Sequence, residues 1–247
     1  MPPDDRARIV DRMATELAPI HVDIWSDVVC PWCYIGKRRF ERAVAELAGE
    51  VDVEVRYHAF QLDPTASPGS SRPVAEAYAK KFGGEQRAQA IMQRVTDVAA
   101  EEGLEFHMDR ALRANTLQAH RLIWLSEQPG SPVPQATMKE RLLQAYFHDG
   151  LDIGDTEVLA ECAAELGFDR DQVTALLETS TGAGEVADDI ERATELGITA
   201  VPTYVINGQW SIPGAQDTDT FVTVLRRLHE RIAVEPAPAC DDDVCDA

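Results

Sequence analysis

The chain has 247 residues, 43 of them acidic and 23 basic, for a formal net charge of −20. Such a surface repels phosphate backbones and anionic bilayers, which argues against nucleic-acid and membrane partners, and no apolar run approaches the roughly 18–20 residues of a membrane span. An apolar fraction of 45% is material for one large core or two closely packed ones.

Residues 1–19 read as an N-terminal extension. Asp4, Asp5, Arg6, Arg8, Asp11, Arg12 and Glu16 leave no apolar stretch of the kind a secretory signal needs. The sequence therefore predicts a cytoplasmic protein. In a reducing compartment its five cysteines point to catalysis or metal binding rather than to structural disulfides.

His21-Val22-Asp23-Ile24-Trp25 alternates with period two, which predicts a strand. After Cys30-Pro31-Trp32-Cys33 the period changes: Phe40, Val44 and Leu47 recur at helical spacing between Lys37, Arg38, Arg39, Glu41 and Arg42. Strand, C-x-x-C and helix follow in that order, which places both sulfurs in the first turn of a helix. There, unpaired N–H groups and the macrodipole favour a thiolate, and cysteine pKa values fall from ~8.5 to roughly 3.5–7.5. Pro31 suits the first helical position, where no N–H is needed. Spacing of three brings the sulfurs close enough for a small disulfide ring. Cys30 is expected to be the exposed attacker with a lowered pKa, and Cys33 the sheltered resolver. Asp27 opposes the effect slightly, and the Lys37–Arg39 cluster is read as too distant to matter. Half of a zinc site is the competing reading of a C-x-x-C, but its strand–helix context favours redox chemistry.

Val51 to Phe60 alternates as a second strand, with Val51, Val53, Val55 and Tyr57 on one face. Strand, helix and strand over about forty residues imply a parallel pair. Gln61–Pro73 is a loop, and a long helical region follows. Its markers are Ala88, Ile91, Met92, Val95 and Ala99; Leu117, Ile123, Trp124 and Leu125 after Asn115; and Met138, Leu142, Leu143, Tyr146 and Phe147 up to Gly150. Asp155-Thr156 opens a helix through Val158, Leu159, Cys162 and Leu166, and Val173, Leu176 and Leu177 mark another. His120 and Cys162 read as structural, the latter as a buried inert thiol. Gly184–Leu196 is helical. Ala200–Ile206 and Gln209–Ile212 are strands around an Asn207-Gly208 turn, and Phe221, Val224, Leu225, Leu228 and Ile232 mark a last helix. Residues 233–247, with two prolines and an acidic block around Cys240 and Cys245, read as a flexible tail.

Several segments in order resemble the DsbA family of the thioredoxin-like folds, and within it the FrnE-like branch, from about residue 20 to 232. They are Ser26–Gly36 (SDVVCPWCYIG), Phe60–Pro64 (FQLDP), Asn115–Leu122 (NTLQAHRL), Gln144–Asp155 (QAYFHDGLDIGD), Leu196–Ile206 (LGITAVPTYVI) and Gly214–Gln216 (GAQ). The resemblance implies an α/β, thioredoxin-like fold with a large all-helical insertion: residues 20–61 and 183–232 form the thioredoxin-like part and 62–182 the insert. It also implies a cis Val201-Pro202 peptide facing Cys30.

The expected activity is thiol–disulfide exchange with disulfide-bearing proteins or small thiols. Cys30 and Cys33 are catalytic, and Pro31, Trp32, Val201 and Pro202 contact substrate. Cys240 and Cys245 are a candidate second redox pair. No cofactor and no resident metal are expected. Glutathione or thioredoxin is the expected reductant, and the reading leaves room for a dimer. The same architecture resembles glutathione transferase kappa and 2-hydroxychromene-2-carboxylate isomerase, which typically lack the second cysteine; glutathione-dependent isomerisation or transfer is therefore the alternative activity. A zinc module built from Cys30, Cys33, Cys240 and Cys245 is the third.

Overall fold

A computed structural model describes residues 19–67, 69 and 72–234. Cys240 and Cys245, like residues 1–18, lie outside the described residues. The chain runs β1 (Ile20–Ser26), α1 (Pro31–Glu46), β2 (Val53–Ala59), a short β3 (Arg72–Pro73), α2 (Val74–Phe82), α3 (Glu85–Glu101) and a short β4 (Leu112–Arg113). Then come α4 (Leu117–Leu125), α5 (Gln135–Gln144), a π-helical turn (Ala145–Asp149), α6 (Thr156–Glu165), α7 (Arg170–Glu178) and α8 (Ala183–Glu195). β5 (Thr203–Ile206), β6 (Trp210–Pro213) and α9 (Thr218–Val234) complete it.

The main sheet has the order β2-β1-β5-β6. β1 and β2 are parallel, with Ile24 opposite Tyr57; β5 is antiparallel to both β1 and β6. Asn207 and Gly208 both have positive φ, as a two-residue hairpin requires. Strand alternation divides the core. Ile20, Val22, Ile24, Tyr204 and Ile206 join the main core with Phe40 of α1 and Phe221 and Leu225 of α9. Trp25 and Val205 point the other way, into a smaller cluster with Ala193 of α8 and both active-motif cysteines.

Two expectations shift. Val55 is exposed because β2 is an edge strand whose middle residues are left open to solvent. The long loop ends at Pro73, where β3 leads directly into α2, a helix with a single buried residue, Val74, and so too little apolar periodicity to be read. Elsewhere local chemistry explains the ends: the Asp155 carboxylate accepts from the backbone N–H groups of Glu157 and Val158 at the start of α6, and Gly150, in the left-handed region, closes the π-helical turn.

Candidate active site

Cys30 is itself the N-cap of α1, with extended backbone and no capping side chain, and Pro31 follows in the first turn. Its carbonyl accepts from the N–H groups of Cys33 and Tyr34 at 3.0 and 3.4 Å. The Val201-Pro202 peptide is cis, and the Cys30 thiol donates to the Val201 carbonyl at 3.6 Å. Trp25, Ala193, Val201 and Val205 close around the sulfurs, with Phe60 and Ile198 at the edge. Cys30 is therefore only 4% exposed and Cys33 2%. This corrects the expectation of an exposed Cys30: the loop before β5 lies over it. Trp32, at 40%, is the motif's exposed side chain, while Pro31, Val201 and Pro202 are buried.

Gly36 makes that close approach possible. A Cβ there would stand 2.7 Å from the Tyr204 hydroxyl and 3.1 Å from Cγ of Pro202. Glycine lets α1 lie directly against the Val201-Pro202 loop and β5.

The two thiols are not equivalent. Cys30 is held well above the ordinary thiol range by its coupling to the Cys33 sulfur, by burial and by nearby Asp27; the Cys33 N–H pulls in the opposite direction. Burial pushes Cys33 up too, but the Cys30 thiol, the charge of Lys139, the nearby Ser26 hydroxyl and the Asp27 backbone together hold it below that range. The Ser26 Oγ makes no hydrogen bond of ordinary geometry among the described residues, so its help is a dipole rather than a bond. Sharing one proton moves the two thiols in opposite directions, and the charge of Lys139 adds to the pull on Cys33.

That cation comes from the helical region. Lys139 of α5 is 1% exposed, and its Nζ has no hydrogen-bond partner among the described residues. It sits 5.2 Å from the centre of the Tyr57 ring. Burial lowers its pKa to about 8, with Cys33 and Asp27 holding it up against that. Asp27 is fully buried. Its carboxylate accepts from the Leu62 N–H at 2.8 Å and meets His120 Nε2 at 3.2 Å, and the same nitrogen lies 3.0 Å from the Phe60 carbonyl. His120 is buried against Asp27 and so borders the site. Cys162 lies in the main core, away from the cysteine pair, and burial raises its pKa.

The sequence reading missed Lys139. The signal was there: Gln135, Lys139, Leu142 and Leu143 share one face of α5, and all four are buried. A lysine on an apolar face marks a special environment, but nothing in one helix says which element it faces.

Residues 21–226 match the family model of the DSBA-like thioredoxin domain. The chain belongs to this family. It is 30% identical over 220 residues to the uncharacterized protein YwbO of Bacillus subtilis strain 168, covering 82% of this chain and 94% of that one. Among solved structures it is similar to the probable DsbA oxidoreductase of Streptomyces coelicolor, at 32% identity and a TM-score of 0.78 over 92% of this chain and 99% of that one. The cytosolic disulfide reductase DsbM of Pseudomonas aeruginosa, in a structure with GSH, shares the fold at 20% identity and a TM-score of 0.57, over 85% and 98% of the two chains. So does a 2-hydroxychromene-2-carboxylate isomerase, at 16% identity and 0.62, over 86% and 98%. The DsbA-like domain accounts for the thioredoxin-like sheet, and no helix among the described residues is long and apolar enough to cross a membrane.

Proposed function

We propose that this DsbA-like protein exchanges disulfides with protein or small-thiol substrates through Cys30 and Cys33, and that it belongs to the FrnE-like branch. The observation that carries the reading is the C-x-x-C pair at the N-terminus of α1, with Cys30 as N-cap and its thiol on the Val201 carbonyl of the cis Val201-Pro202 peptide. The proton of Cys30 passes to Cys33, and the Cys30 thiolate, facing the first-turn N–H groups, attacks a substrate disulfide. One substrate sulfur leaves as thiolate and the other is bonded to Cys30. The departing thiolate takes the proton from Cys33, whose thiolate attacks the Cys30 sulfur and releases the second substrate sulfur as thiolate. The enzyme ends as the Cys30–Cys33 disulfide, and two electrons have gone to the substrate; the reverse sequence oxidises a dithiol.

Trp32 supplies an exposed aromatic contact, and the backbone at Val201 can pair with an extended substrate segment. Glutathione or thioredoxin would return the oxidised pair to the dithiol in a cytoplasmic setting, and Cys240 with Cys245 would form a second pair exchanging with it. Purified protein should reduce insulin disulfides. Cys30→Ser should abolish this, and Cys33→Ser should accumulate mixed disulfides through Cys30. A glutathione-dependent isomerase activity on a small aromatic substrate that survives Cys33→Ser, with no mixed disulfides, would overturn the proposal.

A further inference from the structure

Beyond α3 the chain runs extended, and its side chains alternate. Leu104, Phe106 and Met108 are buried, while Glu105 and His107 turn outward on one side. The π-helical turn, which places Tyr146 and Phe147 in the core, carries His148 to the same spot. Two contacts fix the segments together: Phe106 stacks on Phe147 at 4.4 Å, and the His107 N–H donates to the Phe147 carbonyl at 2.7 Å. Arg110 Nη2 donates to the His148 carbonyl at 2.9 Å.

The Glu105 carboxylate faces both imidazoles, its Oε1 2.9 Å from His107 Nε2 and its Oε2 3.5 Å from His148 Nε2. The three donor atoms lie within 4.8 Å of one another. We propose that Glu105, His107 and His148 bind one divalent transition ion of the zinc class. Donors around a tetrahedral ion at ~2.0–2.1 Å stand about 3.3 Å apart, so an ion would draw these three side chains, two of them already 2.9 Å apart, together by small rotations of exposed groups. Two imidazoles select against magnesium and calcium, which take oxygen donors, and favour zinc, nickel, cobalt or copper. With three protein donors the fourth position falls to water.

A supporting shell is present. His148 Nδ1 meets the Asp149 carboxylate at 2.8 Å, and Arg141 Nη1 anchors that carboxylate at 2.9 Å. Donation from Nδ1 to Asp149 turns the Nε2 lone pair of His148 toward Glu105, the carboxylate–histidine arrangement that orients metal ligands. A bound ion would clip the extended segment to the π-helical turn. Behind them Phe106 and Phe147 pack on Tyr34 of α1, with ring centres 5.7 and 6.0 Å away, so the clip braces the helix that carries the cysteines. The site shares no residue with the dithiol.

The test uses the full-length chain with Cys30, Cys33, Cys240 and Cys245 changed to serine, so that thiolates do not compete. Titration with Co2+ should give one saturable equivalent with an absorption spectrum of nitrogen and oxygen ligation, and Zn2+ should raise the melting temperature. His107→Gln and His148→Gln should each weaken binding at least tenfold, and Asp149→Asn by about tenfold. Glu105 is 67% exposed at its side chain, so Glu105→Gln should keep the fold while losing affinity. Unchanged Co2+ affinity in the two histidine variants, or no saturable binding in the parent, would overturn the site.

Discussion

Lys139 is the residue whose position has the largest chemical consequence. Its ammonium favours the reduced pair by stabilising the Cys33 thiolate. Lys139→Met should therefore make the Cys30–Cys33 couple more reducing, by about 30 mV for each unit the Cys33 pKa rises. Mixed disulfides with Cys30 should persist, since the resolving thiolate is scarcer. A couple with the parent's potential would remove Lys139 from the mechanism. Gly36 makes a steric prediction. A methyl at this position meets Tyr204 and Pro202 at clashing distance, so Gly36→Ala should cost about 1–3 kcal/mol in denaturant unfolding and displace the Val201 loop. Parental stability together with parental exchange rates would show that α1 can shift freely.

Elements are tied to one another largely by polar groups. Glu140 of α5 accepts from Tyr34, Lys37 and Arg38 of α1 at 2.6–2.7 Å, so Lys37 and Arg38 hold α1 against the helix that brings Lys139, while Arg39 pairs with Glu102 at 2.6 Å. Asp189 of α8 binds β2 from the other side. His58 is set between Asp189 and Asp23 at 2.6 and 2.7 Å and stacked on Trp25 at 4.4 Å. Burial alone would lower its pKa, but the two carboxylates raise it to about 9. The folded-state value exceeds the unfolded value of about 6.5, so the stabilisation is complete below pH ~6.5 and disappears as pH rises through ~9. His58→Phe should cost on the order of 2–3 kcal/mol at pH 6 and much less at pH 10. A small penalty at both pH values would mean that stacking on Trp25, which Phe keeps, and not charge is what His58 contributes.

For the molecule as a whole, helices of residues 62–182 share the main core with the sheet: Leu122, Leu142 and Phe147 belong to one cluster with Ile24, Phe40 and Phe221. Excess negative charge surrounds that core. A net charge of −20 should slow encounter with anionic disulfides such as glutathione disulfide and speed it with the dication cystamine. Raising salt from 20 to about 500 mM, where screening shortens to a few ångströms, should bring the two rates together. Parallel salt responses for both would show that local contacts at Trp32 govern encounter.

Local patterns were enough to read the strand–CPWC–helix unit, the parallel β1–β2 pair, the Asn207-Gly208 hairpin and the Asp155 cap, because each depends on neighbours within a few residues. The resemblance of separate motifs added the helical insertion and the cis Val201-Pro202 peptide. Burial of Cys30, the approach of Lys139 to the cysteine pair and the pairing of Glu140 with α1 depend on groups about 100 or more residues apart in the chain. Glu105 and His107 meet His148, about 40 residues further on, through the Phe106–Phe147 stack and the bond from the His107 N–H to the Phe147 carbonyl. Alternation and helical spacing tell which side chains turn inward. Which charges meet there is decided by how the elements pack, and a buried charge takes its pKa from those partners.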